Sequence, residues 1–132
     1  MKVVFEDLQE SENPLNGKAF ESAAAVSDTL QTLRDRKPFL VELRGDNGSM
    51  LTVGVAGDVG SVQYSPGDGS PPYHMAVSDE ETEEGKFVEF LAGNTPTPIP
   101  RRFCLPISLV ERIVREFIER EEKSRAVNWE EI

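Results

Sequence analysis

Residues 39–64 read FLVELRGDNGSMLTVGVAGDVGSVQY, and this run decides the fold. Phe39, Val41 and Leu43 alternate with Leu40, Glu42 and Arg44. After Asp46-Asn47-Gly48-Ser49, Leu51, Val53 and Val55 alternate with Thr52, Gly54 and Ala56. Successive side chains of a strand point to opposite faces, so a period of two marks a strand with one face buried. Two such runs joined by an Asn-Gly turn predict an antiparallel hairpin, because Asn and Gly tolerate the positive φ of tight hairpin turns. A second turn is expected at residues 57–60, with Val62 and Tyr64 in the next strand. The small residues at 54, 56 and 57 leave one sheet face shallow, which suits a helix packing there.

Upstream, Val3, Val4 and Phe5 suggest a short opening strand. Val26, Leu30 and Leu33 share one face of a 3.6-residue period and predict a helix, with Ser22 or Ser27 as its N-cap. Pro38 disfavours helical geometry at Lys37, so that helix is expected to stop near Arg36. Downstream, residues 65–72 (SPGDGSPP) read as a loop, residues 73–77 as a fourth strand and residues 86–91 as a fifth. Prolines at 96, 98, 100 and 106 make residues 95–106 an extended connection or an edge strand, since proline cannot donate to a ladder. Ile107, Val110, Val114 and Phe117 form one helical stripe, widened by Ile113 and Ile118. This predicts a helix over about residues 106–122, with Ser108 and Glu111 as a capping box. Val127 and Trp129 alternate near the end, so a short strand is expected there. The order implies one α+β domain over residues 1–132. It is a twisted, mainly antiparallel sheet of about five or six strands with two helices packed on one face.

Charge narrows the function. The formal net charge is −10, with a pI near 4.6. Residues 1–84 hold 6 bases and 16 acids, whereas residues 85–132 hold 8 of each. Between Gly45 and Gly85 there is no Lys or Arg, yet Asp46, Asp58, Asp68, Asp79, Glu80, Glu81, Glu83 and Glu84 lie there. Phosphate and anionic lipid both repel such a chain, which argues against direct nucleic-acid or membrane binding. A basic protein is the partner it favours, with a faster encounter at low salt. The base-free loops are expected to converge on one electronegative surface. Asp68, Tyr73, His74, Asp79, Glu80, Glu81, Glu83 and Glu84 are the expected partner-binding residues, with His74 in an outward-facing strand position.

Other chemistry finds little support. His74 and Cys104 are the only histidine and cysteine, and no G-x-S-x-G elbow accompanies them, so no catalytic residue is assigned. A zinc site needs three or four ligands of a kind the chain barely holds. No stretch matches a twelve-residue calcium loop, and the glycine-rich turns lack the lysine of a phosphate cradle. No metal or cofactor is expected. A lone cysteine rules out an internal disulfide and fits a reducing compartment. The first residues lack a signal-peptide core, and no apolar run approaches the ~20 residues of a membrane span. A soluble, cytoplasmic protein is the expectation.

The run Thr97-Pro98-Ile99-Pro100, then Leu105-Pro106, Val114-x-x-Phe117 and Val127-x-Trp129-Glu130 resembles a family of immunity proteins from bacterial polymorphic toxin systems. Phe39 to Val41, Val53-Gly54-Val55, Gly60-x-Val62-x-Tyr64 and Tyr73 fit the same pattern, so the likeness covers about residues 26–131. Residues 119–125 depart from it, being highly charged and without the glycine expected there. The family's members are antidotes associated largely with nucleic-acid deaminase toxins. The resemblance therefore implies a non-enzymatic inhibitor that binds a cognate toxin with a basic surface and blocks its active-site cleft. The alternatives are an acidic chaperone or adaptor for a basic secreted effector, and a small carboxylate-dependent enzyme.

Overall fold

The alternation in residues 39–64 becomes three antiparallel strands at the centre of one large sheet. The computed structural model describes residues 1–79 and 85–132. In chain order the elements are β1 (Val3–Asp7), β2 (Ala19–Phe20), α1 (Ala23–Leu33), β3 (Phe39–Gly45), β4 (Ser49–Ala56), β5 (Val59–Pro66) and β6 (His74–Val77). There follow β7 (Phe87–Ala92), β8 (Thr95–Pro100), a 3-10 turn (Arg101–Phe103), β9 (Leu105–Pro106), α2 (Ile107–Arg120) and β10 (Asn128–Glu131). Seven strands lie in the order β10-β6-β5-β4-β3-β1-β2, while β7 joins β3 and carries β8, and β9 joins β5. The class is α+β as expected, but the sheet has ten strands rather than five or six. The excess comes from two-residue pairings such as β2 and β9, too short to leave a period in the sequence, and from the proline-rich β8.

Register places the apolar half of each central strand on one face. Val41 pairs with Val53 and Val53 with Val62, while Phe39 faces Val55 and Leu43 faces Leu51. All seven are buried, and Val26 and Leu30 of α1 join them with Val110, Ile113, Val114, Phe117 and Ile118 of α2. Fully burying one such side chain is worth about 1.5–3 kcal/mol, so this face supplies most of the driving force.

Helix ends depart from the sequence reading in instructive ways. Ser22, not Ser27, caps α1, its Oγ accepting from the Ala25 N–H at 3.3 Å. The helix stops at Leu33, short of Arg36, which turns away to reach Asp7. The capping box at Ser108 does not form. Pro106 is the N-cap, so Ser108 already lies inside α2, and the Ile107 N–H donates instead to the Asp58 carbonyl at 2.8 Å. At the other end of α2 the glycine missing from residues 119–125 is replaced by Glu121, which takes the left-handed conformation itself at φ 59°. The Asn47 amide holds the Glu121 carbonyl at 3.0 Å, helping fix this rarely populated backbone state.

The shallow face at Gly54 is filled, but by a strand rather than a helix. A Cβ on Gly54 would lie 2.7 Å from the Phe90 ring of β7 and 2.5 Å from Ser61 Oγ. Gly54 faces away from the helices, so the β7–β8 hairpin covers part of the second face. β8 is an edge strand, as its prolines required. Lys86 accepts from the Arg101 N–H, so Pro96, Pro98 and Pro100 fall at positions whose nitrogens point outward.

Gly54→Ala is expected to cost about 1–3 kcal/mol by overpacking against Phe90, whereas Gly54→Ala with Phe90→Leu should recover part of it. Urea unfolding of the single and double variants measures the difference.

Candidate functional site

Consecutive turns of an antiparallel meander lie at alternate ends of the sheet, and this decides where the acids go. The β3–β4 turn with Asp46 and the β5–β6 loop with Asp68 share one end, tied by the Gly67 N–H to the Gly48 carbonyl at 2.8 Å. Asp58, in the β4–β5 turn, and Asp79, beyond β6, lie at the other. The base-free loops therefore do not converge on a single surface. Asp58 is also neutralised by Arg34 at the C-cap of α1, which reaches the Gly57 carbonyl as well. Glu80, Glu81, Glu83 and Glu84 lie outside the described residues.

The expected contact residues are set along β6. Asp68 is exposed, and its carboxyl accepts from the Ser70 hydroxyl at 2.6 Å and the Ser70 N–H at 2.9 Å. Those bonds, the hydroxyl's first, hold it below the usual carboxylate range against a small opposing effect of burial. The Tyr73 hydroxyl donates to the Gly69 carbonyl at 2.8 Å, closing the same loop. His74 opens β6 opposite Tyr64 and Glu131. It shares the helix-covered side with Ala76 and is half-buried, so it is not in the outward-facing position expected. A one-residue shift of the strand's parity separates the two readings. Asp68, Tyr73 and His74 thus stand together at one end of β6. Asp79 stands at the other, beyond a strand about 10 Å long.

The second face of the sheet holds a feature the sequence did not signal. Between that face and the β8 hairpin lies a groove of about 240 Å³, walled by Leu40, Met75, Pro98, Ile99, Phe103 and Ile132. Thr52 and Gln63 form its floor. Register makes them part of one row across six strands: Glu6, Glu42, Thr52, Gln63, Met75 and Glu130. Beside the groove Arg102 makes a two-pronged bond to Glu130 at 2.5 and 2.9 Å. Arg44 lies 3.4 Å from Glu42.

Two buried carboxylates fix the frame of the site. Asp7 is fully buried and accepts from Arg36 at 2.8 and 3.2 Å, from the Gln9 and Glu10 N–H groups and from Asn13. Arg36 in turn lies over the Phe39 ring, 3.9 Å from its centroid. Burial pushes the Asp7 carboxyl up, but the hydrogen bonds of Arg36, Glu10 and Asn13 with the Arg36 charge outweigh it and hold it low. Glu116 accepts from Ser124 Oγ at 2.7 Å and Arg112 Nε at 3.1 Å. The Ser124 bond is the main cause of its lowered pKa, burial opposes, and Arg112 adds. Ser124 also receives the Ala126 N–H on its hydroxyl and the Trp129 indole N–H on its carbonyl. Trp129 and Phe117 both pack edge-on against Tyr64, so this network seats β10. A general acid needs a carboxyl raised toward neutrality, and both of these move the other way. Burial pushes the Cys104 thiol up, against a smaller pull from the Arg101 charge, which makes it a poor nucleophile. Among the described residues no group of three or more His, Cys, Asp or Glu is placed to hold a metal. No described helix is long and apolar enough to cross a membrane.

The chain matches the family model of immunity protein Imm1 over residues 17–131, and it belongs to that family. A toxin-inhibiting immunity role is what this family suggests. Comparison with curated proteins and with solved structures finds no match.

Asp7 is ionised in the folded chain below the pH at which it protonates when unfolded. Its contribution is therefore complete above about pH 4 and is lost as pH falls through its lower folded value. Asp7→Asn should cost about 3 kcal/mol at pH 7, by stranding Arg36, and should flatten the acid limb of a stability–pH curve. Ser124→Ala should cost about 1.5–3 kcal/mol through Glu116 and shift the emission of Trp129, the only tryptophan, to the red.

Proposed function

We propose that this chain binds and inhibits a cognate toxin, a nucleic-acid deaminase, by occupying the basic cleft through which that enzyme holds its substrate. It works as a non-enzymatic inhibitor in the cytoplasm of the cell that makes the toxin, with no direct contact to nucleic acid or membrane. The observation that carries this reading is the family match over residues 17–131. The net charge of −10 supports it independently, because a cleft lined for phosphate attracts an acidic protein. The proposed contacts are Asp68, Tyr73 and His74 at one end of β6 and Asp79 at the other, together with Glu80, Glu81, Glu83 and Glu84, which lie outside the described residues. Hydrogen bonds from Ser70 hold the Asp68 carboxyl below the usual carboxylate range, favouring its charged form. Exposed charges of this kind steer encounter, so their effect is screened over the ~8 Å Debye length of physiological salt.

The experiment mixes the purified chain with the toxin domain encoded beside it. A stable complex, loss of deaminase activity and roughly tenfold slower association between low and physiological salt are expected. Absence of a complex at low salt defeats the proposal for that pair. A complex that leaves the toxin fully active would instead identify an escort for a basic effector.

A further inference from the structure

We propose that the groove on the second sheet face is where the toxin is anchored, by a segment presenting one apolar side chain with a Lys or Arg on the side toward β1. The inference rests on the inhibitor reading above and goes beyond it by moving the main contact away from the acidic loops.

Three observations converge. The groove's volume of about 240 Å³ lies below the ~300–1,000 Å³ of small-molecule pockets, and its walls are apolar, dimensions that suit a single apolar side chain. The side of the sheet toward β1 is acidic. Glu6 and Glu42 stand directly opposite one another on β1 and β3, a like-charge pair that costs a sheet about 0.2–1 kcal/mol. Arg44 meets Glu42 only at 3.4 Å, and Glu6 has no ion-pair partner among the described residues. A cation supplied by a partner would relieve that repulsion, whereas Glu130 on the opposite side is already held by Arg102. Third, the sheet offers little edge for strand addition. The outer positions of β8 are prolines, β2 has two residues, and β10 has four with two acids. A partner that needs area is thus directed to the face.

The dimensions agree. Six strands at about 4.8 Å spacing make the row from Glu6 to Glu130 about 24 Å wide, comparable to a standard patch of ~800 Å² per partner. Within such a patch the binding energy concentrates in one or two buried anchors near its centre, ringed by polar groups. Leu40, Met75, Ile99 and Phe103 supply the walls for such an anchor, Thr52 and Gln63 its floor, and Glu6 and Glu42 the acidic part of its rim. Tyr73 and Asp79 precede and follow the strand that carries Met75.

The test measures affinity for the toxin domain with Thr52→Arg and Gln63→Arg, each filling the groove from an outward-facing sheet position. Glu119→Arg, on the exposed side of α2, serves as control. At least a tenfold loss is expected for each groove variant and less than threefold for the control, although the control changes the net charge by more. That order separates local blockage from long-range repulsion. Glu6→Gln should slow association two- to threefold and weaken its salt dependence. Hydrogen exchange on the unaltered complex gives a readout free of folding effects, with new protection expected in the β8 hairpin, residues 95–103. Unchanged affinity in folded groove variants, or protection confined to residues 67–73, overturns the inference while leaving the inhibitor reading intact. Failure of the unaltered chain to bind overturns both.

Discussion

The two-residue pleat of β3, β4 and β5 is the constraint on which everything else depends. It sends Phe39, Val41, Leu43, Leu51, Val53, Val55 and Val62 to one side, where both helices collect. By the same geometry it sends Glu42, Thr52, Gly54, Ser61 and Gln63 to the other. A slip of one residue in any of these strands would exchange the two sets and leave neither face able to do its work. Closing each hairpin in a few residues also fixes which loops are neighbours: first with third, second with the one after β6. Covered face, open face and the placement of Asp46, Asp58 and Asp68 therefore follow from one periodicity.

Polar groups then pin what the pleat leaves loose. Residues 8–17 have no strand or helix of their own, and Asp7 holds them by gathering Gln9, Glu10, Asn13 and Arg36 around one buried carboxylate. Glu116 does the same for the segment after α2, through Ser124 to Trp129. Each is a charge taken from water and repaid by several donors. Each would be costly to leave half-satisfied. Their lowered pKa values record that function: they are fasteners.

Much of the frame was legible because it rests on local pattern. The hairpins, both helices, the proline-bearing edge strand and the Trp129 strand each leave a period or a turn residue within a few positions. What was not legible depends on distant partners. Nothing near Ser108 reveals that Asp58 would take the first N–H of α2, and nothing near Gly54 announces Phe90. The expected single acidic surface failed for a simpler reason. Charge was read along the chain, where Asp46, Asp58 and Asp68 look adjacent, while successive turns sit at opposite ends of the sheet. The groove had no local signal at all, since its walls come from β3, β6, β8, the 3-10 turn and residue 132. The departure at residues 119–125 shows the opposite case, where the left-handed turn survives without its glycine because Asn47 braces it.

The row of prolines along β8 has a consequence for how copies of the chain can meet. On that side each outward nitrogen lacks a hydrogen, so a strand of a second copy finds carbonyls to bond but no donors, and a full ladder cannot be extended there. That edge is thus blunted by the backbone itself, independent of the side-chain charges that salt would screen.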